Sequence, residues 1–286
     1  MEVDCEGCAG CCLDWRPLVD GDAAPDHERR GRYRPLDDTY NLAPLARDEV
    51  RTFLDAGHAA AMTPRLFRTE EGPSVTVDGV ELAAVGGRPA FLVGLRKVPK
   101  PLAPFDADPS WLPSCVFLDP ETLQCRIHGE EAYPDTCASY PGDNLALDAE
   151  TECERVERAH GGERLLDDEP PGDADPALGP GAVGARVFVH PDPDRLDGAV
   201  ARLAAGEPTA ADRAEFLAVA AASSPGTGAV SDTYYERYRE RARAGESWVD
   251  AAVAAWRDRA ETEMPDPRSA RAVEDDRGAP ATPGWV

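Results

Sequence analysis

The chain has 286 residues, enough to bury a sizeable core in one large domain or two smaller ones. Its 54 acidic residues against 30 basic ones leave a net charge of −24, which repels nucleic-acid phosphates and anionic lipid head groups. No run approaches about twenty apolar residues, so no transmembrane helix is expected.

The most informative segment comes first. Cys5-Glu6-Gly7-Cys8-Ala9-Gly10-Cys11-Cys12 places four thiols within eight positions. Cysteines separated by two residues let a tight turn aim both sulfurs at one ion. Gly7 and Gly10 are expected to supply the positive φ that consecutive turns need. The opening MEVDCEGC lacks a basic segment followed by an apolar one, so a reducing cytoplasm is expected, where structural disulfides are disfavoured. A disulfide between adjacent Cys11 and Cys12 would be strained, whereas adjacent thiolates can ligate neighbouring ions or share one.

The polar segment through Pro35 reads as loop. Pro44 to Met62 reads as a helix, with Leu45, Val50, Phe53 and Leu54 on its core face. Ser74 to Val77 and Val80 to Val85 read as strands joined by Asp78-Gly79, a type I′ hairpin pair, and Pro89 to Val98 as a third strand. Lys97 and Lys100 at its end are the only lysines; every other basic residue is arginine. An acid-rich, lysine-poor composition suits a protein kept hydrated in salt-saturated, halophilic cytoplasm, so the charge reports the solvent rather than a cationic partner.

The remaining cysteines follow. Cys115 and Cys125 are expected near the starts of two short strands around a turn at Asp119 to Leu123. Cys137 follows a loop containing Pro134, and Cys153 falls inside a helix from Ala149 to His160, which makes it the weakest ligand candidate. The metal-ligand candidates are thus Cys5, Cys8, Cys11, Cys12, Cys115, Cys125, Cys137 and Cys153. Eight thiols suit two tetrathiolate sites, or a multinuclear cluster with spare ligands, and spacing alone does not partition them.

The sequence CEGCAGCC, followed by CVFLD, CRIH and CASYP, resembles the CxxCxxCC cysteine-cluster family, also called YkgJ-like, over roughly residues 1 to 160. That resemblance implies a module chelating zinc or iron, or carrying an Fe-S cluster, and supplies no reaction. The family's Arg-Pro before the third cysteine of the second block is Tyr133-Pro134 here, so thiolate charge would need other support, with Arg126 the candidate. Competing motifs fit less well. No Cys-Pro completes a ferredoxin run, the radical-SAM C-x3-C-x2-C spacing is absent, and there is no G-x-S-x-G, P-loop or H-E-x-x-H. His128 is an auxiliary-ligand candidate, although a lone hairpin histidine is more often solvated. His27, His58, His160 and His190 carry no signal, and Trp15, Phe117 and Tyr140 read as packing around the thiols.

Residues 161 to 182 read as a linker, Val183 to Val189 as a strand, and residues 193 to 205, 209 to 222, 231 to 244 and 247 to 263 as helices. Thr209, Ser231 and Ser247 suit N-caps. The stripe of Val249, Val253 and Trp256, with Tyr234, Tyr235 and Tyr238 opposite, suits a bundle core or else a surface for a protein partner. Residues 265 to 286 read as a disordered tail.

The expected fold is α+β: a small metal-stapled cysteine-cluster domain (1 to 160) with a short antiparallel sheet, then a mostly helical C-terminal region (183 to 264). A metal joining Cys12 to Cys115 would close a loop of about a hundred residues, worth about 4 to 5 kcal/mol of unfolded-chain entropy. The expected function is binding of zinc, iron or an Fe-S cluster, in metal handling or electron delivery. A structural zinc scaffold and a metal- or cluster-dependent modifying enzyme are the alternatives.

Overall fold

A computed structural model describes residues 2–19, 25, 32–172, 180–245 and 247–283. In chain order the elements are β1 (Glu2–Val3), β2 (Tyr33–Pro35), α1 (Arg47–Asp55), β3 (Met62–Thr69), β4 (Ser74–Val77), β5 (Val80–Val85), β6 (Arg88–Leu95), β7 (Lys97–Leu102) and β8 (Ser110–Cys115). They continue with α2 (Asp135–Ser139), α3 (Gly142–Ala146), α4 (Glu152–His160), β9 (Leu165–Asp167), β10 (Phe188–Val189), α5 (Ala199–Ala204), α6 (Ala210–Ala222), α7 (Asp232–Ala244), α8 (Trp248–Ala260) and α9 (Pro267–Asp275). The fold mixes short antiparallel sheets with C-terminal helices.

The central sheet runs β10-β6-β3-β5-β4, with β2 added to β3. Alternation along β6 explains its two faces. Phe91, Val93 and Leu95 are buried; Phe91 meets Phe216 of α6 edge to face at 4.9 Å. Ala90 and Leu92, half-buried, point the other way and line a cavity. The β4–β5 turn has positive φ at Asp78 (51°) and Gly79 (75°), as a type I′ turn demands.

Several expectations are corrected. The helix anticipated over 44–62 stops at Asp55, because Gly57 turns left-handed (φ 79°), and a 3-10 turn at Ala59–Ala61 leads into β3. β2 was expected as loop, and no element was expected for β3 beyond Met62; Pro64 breaks the apolar alternation that would have betrayed β3, yet Pro64 pairs opposite Val93. The run 89–98 divides after Leu95: β7 leaves the central sheet and pairs with β8, Lys97 opposite Cys115. In the second cysteine block Cys115 ends β8 rather than starting a strand, and the expected knuckle is closed by a single Leu118–Cys125 bridge, with the Asp119 carboxylate accepting from the amides of Glu121 and Thr122 at 3.0 Å each.

Further corrections fall at the edges. The linker carries β9, paired with β1; its residues 173–179 lie outside the described residues. The strand of 183–189 shortens to β10, and the helix of 193–205 to a 3-10 turn at Pro193–Leu196 plus α5. The tail folds as α9, started by Asp266, whose side chain accepts from the Arg268 amide, and by Pro267 at the first helical position. Residues 284–286 lie outside the described residues.

The two anticipated domains share one core. Leu13, Trp15, Phe53 and Phe117 belong to the same buried cluster as Phe216, Val249 and Trp256. Tyr235, Tyr238, Val249, Val253 and Trp256 are therefore bundle interior, while Tyr234 remains exposed. Among the described residues, no helix is long and apolar enough to cross a membrane.

Candidate functional site

The N-terminal loop is a chain of tight turns. The amide of Cys8 donates to the Cys5 carbonyl at 3.2 Å, and that of Cys12 to the Ala9 carbonyl at 2.8 Å. Gly7 supplies a positive φ as expected (65°), but the second left-handed residue is Ala9 (50°), not Gly10. Gly10 serves a close approach instead: a Cβ there would stand 2.6 Å from Val156 Cγ2 on α4. The tight contact seats the loop against the helix that carries Cys153.

The other end of the loop is tied to β8. Leu13 bridges Ser114, and the Asp14 amide donates to the Pro113 carbonyl at 2.7 Å, which brings Cys12 beside Cys115. The knuckle returns Cys125 to the same place. Cys137 sits on α2, held by Thr136 Oγ1 donating to the Pro44 carbonyl at 3.0 Å and by the Asp135 amide donating to Glu49 Oε1 at 2.6 Å. All eight cysteines, from sequence positions 5 to 153, line one cavity of about 680 Å³. The cavity continues past the thiols along the open face of the central sheet, lined there by Phe67, Ala83, Leu92 and Val187.

Within it the thiols fall into two overlapping neighbourhoods. Cys12 lies within electrostatic reach of Cys115, Cys137 and Cys125, and Cys153 within reach of Cys11, Cys5 and Cys8, while Cys11 also reaches Cys115, Cys125 and Cys137. Cys11 and Cys12 join the two, their sulfurs 3.9 Å apart. Cys5 is exposed, Cys8 and Cys115 are buried and the rest half-buried, and all eight are free thiols. Loss of solvation pushes Cys5, Cys125 and Cys153 up to about 12 and Cys8 to about 11. Cys115 and Cys137 rise for the same reason; Cys11 rises first through its hydrogen bond to Cys12 and then through burial.

The charged groups around the thiols were not all legible in advance. Lys97 lines the cavity, with Nζ 3.2 Å from the Leu13 carbonyl it donates to, and desolvation holds its ammonium below the ordinary lysine value. Lys100 is fully buried and donates to the carbonyls of Val116 (2.9 Å) and Leu118 (2.6 Å) in the knuckle, with Glu274 of α9 at 2.8 Å. Arg126, the cation expected to support the thiols, is committed elsewhere: Glu274 at 2.7 Å, Asp275 at 3.0 Å and the Pro280 carbonyl at 2.8 Å occupy it. The two lysines take that place. Glu152, beside Cys153, is a buried carboxylate that accepts from Trp15 Nε1 at 2.5 Å and from the Tyr40 hydroxyl at 2.7 Å; burial raises its pKa. The helix expected from Ala149 starts at Glu152, behind a Thr151–Glu154 capping box, and nothing in the sequence singled out Glu152.

The histidines divide by place. His128 is exposed against Tyr133 at the cavity rim, with ring centroids 4.9 Å apart. His58 and His160 pack on Phe117 and Phe105, and His190 contacts Glu215 at 3.1 Å; His27 lies outside the described residues. Trp15 and Phe117 are fully buried, and Tyr140 is half-buried with its hydroxyl accepting from the Glu152 amide.

As a donor set, eight thiols suit a soft or borderline ion such as zinc or iron. The Cys11 and Cys12 sulfurs, 3.9 Å apart, are close enough to ligate neighbouring ions or to share one. The thiols are gathered rather than preset: among the described residues, no group of three or more His, Cys, Asp or Glu side chains stands ready to hold an ion. A family model described as "Family of unknown function (DUF7531)" matches residues 1–286. No curated protein and no solved structure matches the chain.

Proposed function

We propose, from the premise that the chain belongs to DUF7531, a family of unknown function, that it is a thiolate metal-binding protein of zinc, iron or an Fe-S cluster, acting in metal handling or electron delivery. The observation that carries this reading is the convergence of all eight cysteines on one cavity. Segments more than a hundred positions apart in sequence each bring thiols to that place. The resemblance of CEGCAGCC, CVFLD, CRIH and CASYP to the YkgJ-like family points the same way.

The residues that would hold the metal are Cys5, Cys8, Cys11, Cys12, Cys115, Cys125, Cys137 and Cys153. Bound there, the metal supplies either a rigid cross-link or a redox centre. The chain's own contribution is solvent exclusion by Trp15 and Phe117, positive charge from Lys97 and Lys100, and turns that aim the first four sulfurs. With free thiols pushed well above neutral pH by burial, loading releases protons and closes the side chains on the ion. The cavity arm along Phe67, Ala83 and Leu92 favours a second reading, a metal- or cluster-dependent enzyme acting on an apolar substrate. Incubation of loaded protein with acyl or prenyl compounds, followed by mass spectrometry, tests it; no bound or altered compound removes it.

Anaerobic purification with metal and acid-labile sulfide analysis tests the main reading. Zinc without sulfide selects the zinc form, and iron with sulfide and a brown chromophore selects the cluster. Protein free of zinc and iron that also takes up neither on addition overturns it.

A further inference from the structure

The chain's two lysines lie three residues apart on β7, both within electrostatic reach of Cys115, but only Lys97 lines the thiol cavity. Lys100 has a carboxylate partner, Glu274 at 2.8 Å. Lys97 has none: among the described residues no Asp or Glu oxygen reaches ion-pair distance, and its hydrogen bond is to the Leu13 carbonyl. The chargeable groups around its ammonium are Cys12 and Cys115, then Cys11 and Glu152. Removing an ammonium from water without a counter-charge is costly. Free thiols supply no such charge, but a divalent ion held by four thiolates leaves two negative charges beside Lys97.

The second neighbourhood has different surroundings. Cys5 is exposed at the chain's start, and the charges nearest to Cys5, Cys8 and Cys153 are the carboxylates Asp4 and Glu157 together with Arg164. Negative groups there oppose the charge of a thiolate-bound ion, and Cys5, the exposed thiol of the four, is the one through which incoming ligands reach it.

Resting on the metal-binding reading, we infer that the cavity holds two unequal sites: an inner one of Cys12, Cys115, Cys125 and Cys137 that retains its ion with Lys97 as counter-cation, and an outer one of Cys5, Cys8, Cys11 and Cys153 whose ion exchanges. The inner ion is the staple and the outer ion is the cargo. Cys11, 3.9 Å from Cys12, is the contact between them.

The test loads the reduced full-length chain with Cd²⁺, follows its thiolate charge-transfer absorbance, and challenges it with excess chelator. Two ions per chain are expected, one leaving fast and the other more slowly by at least about tenfold. Lys97→Gln should accelerate the slow loss by about 10- to 100-fold and the fast one, which Lys97 reaches only through Cys11, by less than about threefold, while Lys97→Arg, which keeps the charge, restores retention. Cys5→Ser should abolish only the fast ion. A single exchange rate for two ions, or a Lys97→Gln chain that folds and loses both ions at wild-type rates, overturns the inference while leaving metal binding intact. Should Lys97→Gln not fold, the wild-type kinetics and Cys5→Ser decide. Failure to bind Cd²⁺, zinc or iron at all removes the underlying reading and this inference with it.

Discussion

Gly10 illustrates how one missing methyl group places a candidate ligand. The loop and α4 approach so closely that any side chain at position 10 collides with Val156. Gly10→Ala is therefore expected to cost about 1 to 3 kcal/mol in chemical denaturation and to displace Cys153 from Cys11. Glu274 is the second decisive residue, a fully buried carboxylate between Lys100 and Arg126. Glu274→Ala leaves two buried cations without their shared partner, so a loss of about 3 to 5 kcal/mol is expected from urea unfolding. Being buried, this contribution should change little between low and high salt, unlike that of the exposed pair Arg158–Glu150. A strongly salt-dependent effect of the substitution would contradict the buried placement.

Elements with strong local signals were the legible ones. α6 and α7 start and stop within a residue of the sequence reading, because Thr209 and Ser231 precede long helix-forming runs. Thr209 caps α6 in a box with Asp212, and Thr209→Ala should lower stability by about 1 kcal/mol. Bonds from Arg202, then Thr209, hold the Asp212 carboxyl down to about 2. A depressed folded value means that its contribution is full above the ordinary carboxyl range and is lost as pH falls from about 4 toward 2. Asp212→Asn should therefore destabilise the protein at neutral pH and flatten that part of the acid limb, as thermal melts across pH would show. What stayed hidden has physical causes. Pro64 disguises β3, and β7 holds buried Lys100, whose burial depends on a partner 174 positions away in α9. α9 itself lacks a long apolar stripe, with Ala270 and Val273 its buried apolar residues. Its Asp266-Pro267 start lies in a Pro- and Asp-rich stretch that reads as tail, and the ion pair of Glu274 with Lys100 that fixes it is tertiary.

At the scale of the molecule, the cysteines that line one cavity could be named from the sequence, and their surroundings could not. Spacing and the block resemblance marked seven cysteines and the count of eight added Cys153, whereas the buried Glu152 and the places of Lys97 and Lys100 follow only from long-range packing. A single core joining the N-terminal loop to α6 and α8 implies that whatever fixes the cysteine loops also stabilises the helices. The most direct measurement is the content of zinc, iron and acid-labile sulfide per chain, on anaerobically purified protein and on a Cys12→Ser, Cys115→Ser double variant. Near-integral metal in the wild type, reduced in the variant, is the predicted result. Wild-type protein that neither carries nor takes up metal, with its eight thiols freely titratable, would contradict the account.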